Sequence, residues 1–158
     1  MAGCGSQTAT TSSATAPGAP AATTTTATQP AAKAPASKKV NREKVALGAS
    51  QYGSVLFDGK QRALYTFTTD GRGQSRCSGA CEKAWPAFLV KAKPSALKGV
   101  DSSLVGTRSR PDGKLQVTYD GRPLYYWYGD PPSKVLCAGV NEFGGGWYAV
   151  SARGARRG

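Results

Sequence analysis

The chain contains two copies of one aromatic motif, and this internal repeat constrains the fold more than any other feature. The copies occupy residues 55–67 and 117–127 and align once residues 60 and 61 are omitted. In both copies an aspartate follows three residues later, a cysteine seven residues after that aspartate, and a tryptophan further on. Periodicity of this kind indicates one supersecondary unit used twice.

The repeated motif has the pattern Tyr-x-aromatic-x-x-Asp. Its members are Tyr65, Phe67 and Asp70 in the first copy and Tyr125, Trp127 and Asp130 in the second. We expect the tyrosine rings to be buried with partnered hydroxyls. Each aspartate, just past a strand end, can accept backbone N–H bonds and fix the following loop. The alternative is that the paired Asp and Tyr residues form a polar site for a cation or a sugar.

Turn signals between the apolar stretches predict β-hairpins. Asp-Gly pairs at residues 58–59, 112–113 and 120–121 are flanked by β-branched and aromatic residues. A short helical turn is predicted from Ser78 to Trp85, with Ser78 as its N-cap. The glycines at 144–146 allow a close approach before a last strand over 147–151. The predicted fold class is all-β: a small antiparallel sandwich or barrel of about seven or eight strands, made of two tandem repeats with one short helical turn.

The N-terminal stretch has a composition that cannot form a packed core. The first aromatic residue is Tyr52, and 28 of the 36 residues from 5 to 40 are Thr, Ala, Pro or Ser, so burial cannot offset chain entropy there. We therefore divide the chain into three parts. Residues 1–45 form a lipobox-like N-terminus and a disordered tether, and residues 152–158 form a basic disordered tail. Residues 46–151 form the β domain, with repeats at about 46–92 and 103–151.

Cys4 indicates an exported, anchored protein. The sequence Met1-Ala-Gly-Cys-Gly-Ser resembles the end of a bacterial lipoprotein signal, in which small residues precede the cysteine that is acylated. An apolar run of about 7–15 residues is expected upstream and is absent from the printed chain. The expected location is the outer face of the cell membrane, reached by export and held by a lipid on Cys4.

The charge distribution does not favour a nucleic-acid partner. The net charge is +12, from 21 basic and 9 acidic residues, and more than half of the excess lies before residue 48 and after residue 151. A nucleic-acid binder concentrates positive charge on one folded face. Weak attraction to anionic lipid or wall polymers accounts for the same charge.

Three further cysteines, Cys77, Cys81 and Cys137, give the sharpest chemical question. In an exported protein the default expectation is a disulfide. Cys77 and Cys81 are four residues apart, within the usual Cα range of roughly 4.4–6.8 Å if the turn is helical. A bridge from Cys137 to either would close a loop of roughly sixty residues. The pairing stays open, and the alternative is a thiol redox or Cu(I)/metal site that uses all three.

The residue inventory argues against catalysis. The chain contains no histidine, so Ser-His and Cys-His nucleophile pairs are excluded, as are histidine-containing zinc sites. A two-carboxylate hydrolase with Asp70 and Asp130 remains formally open. Their equivalent places in the two repeats fit turn residues better than divided acid and base roles. We therefore expect no enzyme and no cofactor.

Aromatic residues outside the motif suggest a recognition surface. If they project from the sheet, Tyr126, Tyr128, Trp85 and Tyr148 form a face that can stack on sugars or peptide groups. The alternative is that they pack against the second face of the sheet, which is the commoner arrangement.

These motifs together resemble a known family, the bacterial secreted-repeat lipoproteins. The resemblance rests on the two Tyr-to-Asp motifs, on residues 77–86 between them and on residues 142–148 at the end, and it covers about residues 45–151. It implies an exported, often lipid-anchored protein with tandem repeats and no established activity. The expected function is a non-enzymatic cell-envelope surface module for binding or structure. The expected partners are the membrane, through the anchor, and a cell-wall polymer or envelope protein.

Overall fold

The computed structural model describes residues 43–158. Cys4 and the predicted tether up to residue 42 lie outside these residues. The elements in chain order are β1 (Lys44–Ser50), β2 (Gly53–Asp58), β3 (Tyr65–Phe67), α1 (Ala80–Ala84), β4 (Leu89–Val90), β5 (Ser95–Ala96), β6 (Val105–Ser109), β7 (Leu115–Tyr119), β8 (Arg122–Pro123), β9 (Val140–Glu142), β10 (Gly145–Val150) and β11 (Arg156–Arg157). The protein is all-β, as predicted.

The strands form three sheets, and none of the three closes on itself. The first has the order β2-β1-β5, with β1 antiparallel to β2 and parallel to β5. The second has the order β11-β10-β3, with β9 also paired to β10. The third has the order β4-β7-β6, with β8 also paired to β7. The hairpins β1–β2 and β6–β7 occupy equivalent places in the two repeats. The Asp-Gly pair at 112–113 forms the turn of the second hairpin as predicted, whereas residues 51–52 form the turn of the first, and Asp58-Gly59 follows the end of β2.

The two repeats exchange strands. In β10 of the second repeat, Trp147 pairs with Phe67 and Ala149 pairs with Tyr65, so this strand completes the first repeat. In the first repeat, the equivalent stretch just after Trp85 lies beside the motif strand of the second repeat. There the Tyr126 N–H donates to the carbonyl of residue 86 at 2.9 Å. Each repeat therefore lacks a strand that the other supplies.

The motif strands lie at the junction of the repeats, and both of their faces are buried. Because side chains alternate along a strand, Tyr65 and Tyr125 enter one hydrophobic cluster while Leu64 and Leu124 enter a second. The exchanged strands and the hairpins cover opposite sides, so neither face meets solvent.

The helix and the C-terminal tail differ from the sequence predictions. The helix begins at Ala80 rather than near Ser78, with Gly79 in the N-cap position and no side-chain cap. Gly79 has φ of +61°, and this turn leaves Ser78 outside the helix. Arg156–Arg157, predicted as part of a disordered tail, form β11 against β10. Both arginines of this strand are exposed, so no apolar pattern in the sequence predicts it.

Gly145 permits the close approach of the exchanged strand. A β-carbon at this position would lie 2.8 Å from atoms of Phe67, Thr68 and Thr69. Since real side chains do not come so close, only glycine fits here. The run of three glycines thus marks the point where the second repeat passes over the first.

Candidate functional site

The tyrosine and aspartate of the repeated motif pair across the repeats, not within them. The Tyr65 hydroxyl donates to Asp130 Oδ2 at 2.5 Å, and the Tyr125 hydroxyl donates to Asp70 Oδ2 at 2.6 Å. The two tyrosines also exchange both backbone hydrogen bonds, at 2.9 and 3.0 Å. The two crossed pairs are therefore related by a local two-fold axis. We call these four residues the Tyr–Asp crossover.

The second oxygen of each aspartate fixes the loop that follows it. Asp70 Oδ1 accepts the N–H of Arg76 at 2.7 Å, and Asp130 Oδ1 accepts the N–H of Leu136 at 3.0 Å. Each acceptor is six residues before its donor, just ahead of a cysteine. All four carboxylate oxygens thus have donors, and the predicted role of the aspartates as loop staples matches this geometry.

Burial dominates the electrostatics of the crossover. It raises the pKa of the Asp70 and Asp130 carboxyls above their ordinary value, while the tyrosine and backbone donors act in the opposite direction. Burial also raises the pKa of the Tyr65 and Tyr125 hydroxyls, and the neighbouring carboxylates raise it further. The phenols therefore stay protonated donors throughout the physiological pH range.

The repeated geometry extends to a stack of aromatic rings that the tyrosines contact. Trp85 and Trp147 are parallel within 5°, with ring centroids 4.1 Å apart, and Phe67 stacks on Trp147 at the same distance. Tyr65 meets Trp85 edge-on and Tyr125 meets Trp147 edge-on, each at 5.2 Å. Such contacts add about 0.5–1.5 kcal/mol each beyond area burial. The equivalent tryptophans of the two repeats thus form the centre of the core.

Glu142 joins the two indoles at one edge of this stack. Trp85 Nε1 donates to Glu142 Oε2 at 3.0 Å, and Trp147 Nε1 donates to the Glu142 carbonyl at 3.2 Å. A buried indole N–H requires a partner, and this one residue supplies both. The sequence does not reveal this role, because Glu142 lies 57 residues from Trp85.

The two halves of the crossover differ in their polar surroundings. The Tyr125 hydroxyl also bonds to Ser75 Oγ at 2.7 Å, and Arg110 donates to that same oxygen at 3.4 Å. Arg110 further donates to Gln116 at 2.9 Å and forms an ion pair with Glu82 at 2.8 Å. No sequence pattern predicts this network, because the residues around Arg110 carry only a turn signal.

A further carboxylate, almost fully buried, lies at the first Asp-Gly turn. Asp58 is 1% exposed, and it accepts backbone N–H bonds from Lys60 and Arg62 and an ion pair from Arg62 at 2.8 Å. The Tyr126 hydroxyl donates to it at 3.1 Å, with the Arg62 guanidinium 3.8 Å above the Tyr126 ring. The sequence indicated a turn at Asp58 but not that tertiary packing would bury it.

The predicted aromatic face is not formed. Trp85 is fully buried in one hydrophobic cluster, and Tyr126 is 7% exposed in the other, so the two residues lie on opposite sides of the motif strands. Tyr148 is half-buried, and Tyr128 alone among the four is largely exposed, at 72%. The four residues therefore do not offer one continuous stacking surface.

A disulfide joins Cys77 and Cys81. Their sulfurs are 1.97 Å apart and their Cα atoms 5.3 Å apart, which is one of the pairings that the sequence left open. Cys137, at the equivalent position of the second repeat, is fully buried. No three Cys, Asp or Glu side chains in the described part of the chain are grouped so that they could hold a metal.

Comparison with known proteins assigns the repeat. The family model for a secreted repeat of unknown function matches residues 47–88 and 106–151, one match for each half of the crossover. The chain belongs to this family of secreted repeats. No curated protein matches the chain, and neither does any solved structure.

Family membership indicates where this secreted-repeat protein is located. The family is a secreted one, so the protein is exported. Among residues 43–158, no helix has the length and apolar character needed to cross a membrane. The family description names no activity.

Proposed function

We propose that this secreted-repeat protein is a non-enzymatic lipoprotein of the cell envelope, whose folded part acts as a rigid structural module. One observation carries the proposal. Every oxygen of Asp70 and Asp130, the repeated carboxylates, accepts a hydrogen bond from within the protein. A carboxylate used in this way is a structural staple and is not open to a substrate.

The strand exchange supports a rigid module. Because each repeat lacks a strand that the other supplies, neither buries its aromatic residues alone. A cooperative unit of this kind resists partial opening, which suits a protein displayed outside the cell. The Cys77–Cys81 disulfide adds a constraint that persists in an oxidising compartment.

Cys4 supports attachment through lipid. It follows small residues and precedes a tract rich in Thr, Ala, Pro and Ser, which has the composition of a flexible spacer. A tether of about 40 residues would hold the folded part some 35 Å from its anchor, by the scaling for flexible chains. The proposed location is therefore the outer face of the cell membrane.

The anchor is tested in the native host by mass spectrometry of the N-terminal peptide and by membrane fractionation. We expect Cys4 to carry acyl chains and the wild-type protein to sediment with the membrane. Cys4→Ser should release the protein to the medium, whereas the matched control Ser6→Ala should not. An unmodified Cys4, or a Cys4→Ser protein that stays in the membrane fraction, would contradict the proposal.

A further inference from the structure

One face of the folded part carries exposed lysines that form no ion pair with any described residue. We call it the lysine face. It consists of Lys44, Lys60, Lys91, Lys93 and Lys98 around Leu97, whose side chain is 41% exposed.

Backbone pairing brings Lys44 and the turn that carries Lys60 next to the chain segment that carries Leu97 and the other three lysines. The first residue of β1, Lys44, lies opposite Ser95 of β5, and the Leu97 N–H donates to a β1 carbonyl at 2.8 Å. A β-carbon at Gly59 would lie 3.3 Å from the Lys44 Cβ, so Lys60 is also next to the start of β1. The segment that carries Leu97 is therefore fixed against the point where the described chain begins.

The lysines of this face are not neutralised locally. Residues 89–100 contain three lysines and no acidic residue, and the exposed Asp101 that follows them accepts hydrogen bonds from Ser103 and forms no ion pair with a described residue. Asp58 is buried and paired with Arg62, which leaves Glu43 as the exposed acid next to Lys44. In the sequence, Lys38, Lys39 and Arg42 come directly before this point and add to the positive charge.

We propose that the lysine face docks on an anionic membrane surface, with the lysines against phosphate headgroups and Leu97 in the interface. An exposed leucine on a segment with unpaired lysines suits a membrane better than a soluble polyanion, because only the membrane offers an apolar layer under the phosphates. The inference rests on the proposed anchor for its biological setting.

The test is co-sedimentation of the Cys4→Ser protein with vesicles of phosphatidylcholine, with or without phosphatidylglycerol. The Cys4→Ser change makes the result independent of acylation, so a failure here and a failure of the anchor are separate outcomes. We expect binding only to the anionic vesicles and its loss at high salt. Each lysine near the surface contributes about fivefold in partitioning, so Lys91→Gln, Lys93→Gln and Lys98→Gln together should weaken binding about 100-fold.

The matched control removes three basic residues outside the face, with Lys83→Gln, Arg108→Gln and Lys134→Gln. It should weaken binding less than about threefold, whereas equal losses in the two triple variants would overturn the proposal. Leu97→Ser should weaken vesicle binding about fivefold and leave binding to inorganic polyphosphate unchanged. A protein that binds polyphosphate but not anionic vesicles would also overturn the proposal, in favour of a wall polymer.

Discussion

Removing one hydroxyl from the Tyr–Asp crossover tests whether it holds the repeats together. Tyr65 is fully buried, and Tyr65→Phe keeps the ring while leaving Asp130 Oδ2 without its donor. A hydrogen bond to a charged acceptor contributes about 1.5–3 kcal/mol, and an unpaired, largely buried oxygen costs a similar amount. We expect the free energy of unfolding to fall by about 2 kcal/mol and the melting temperature by about 8–10 °C for a unit of this size. Urea unfolding, monitored by tryptophan fluorescence, measures the change in the free energy of unfolding.

A double-mutant cycle then identifies the partner of Tyr65. Combined with Asp130→Ala, Tyr65→Phe should show a coupling energy of about 1.5 kcal/mol, because the two residues share one bond. Combined with Asp70→Ala, the aspartate of its own repeat, it should show less than about 0.5 kcal/mol. A coupling to Asp70 as large as that to Asp130 would refute the crossed arrangement and the strand exchange that it accompanies.

Three more predictions concern stability. Burial raises the pKa of the two crossover tyrosines in the folded state above its value in the unfolded chain. The unfolded chain therefore loses these protons at a lower pH than the folded protein, and the free energy of unfolding should fall as the pH rises above about 10. A urea midpoint that does not change with pH in this range would refute the prediction. Phe143 has φ of +54°, so Phe143→Gly should be about 1 kcal/mol more stable than the control Phe143→Ala in thermal melts, and equal stabilities would show no strain. Replacing Cys77 and Cys81 with alanine should cost about 2 kcal/mol, the chain-entropy value for so short a loop, and an unchanged urea midpoint would contradict it.

Local features of the fold could be predicted from the sequence. The Asp-Gly pair at 112–113 predicted a hairpin, and it forms the turn between β6 and β7. The helical turn was predicted over Ser78 to Trp85 and is present as Ala80–Ala84. Turns and short helices depend on neighbouring residues, so their signals lie within a few positions of each other.

Long-range features could not be predicted in this way. Trp85 and Tyr126 were candidates for an exposed face, yet both are buried: Trp85 stacks on Trp147 of the exchanged strand, and Tyr126 packs against Phe88 in the other cluster. Arg110 and Glu142 have central polar roles that no local pattern indicates. Their partners lie 28 and 57 residues away, and a single sequence holds no record of such contacts.

The sequence by itself determined that one aromatic unit is used twice, with a tyrosine to bury and an aspartate to end each strand. The tertiary structure alone decided which tyrosine bonds to which aspartate. Within a repeat the two are 5 residues apart in the chain, but the bonded partners are 65 and 55 residues apart. The physical reason is that two equivalent repeats present the same donors and acceptors. The choice between them depends on which strands pair, and exchanging strands buries both faces of the motif strands at once.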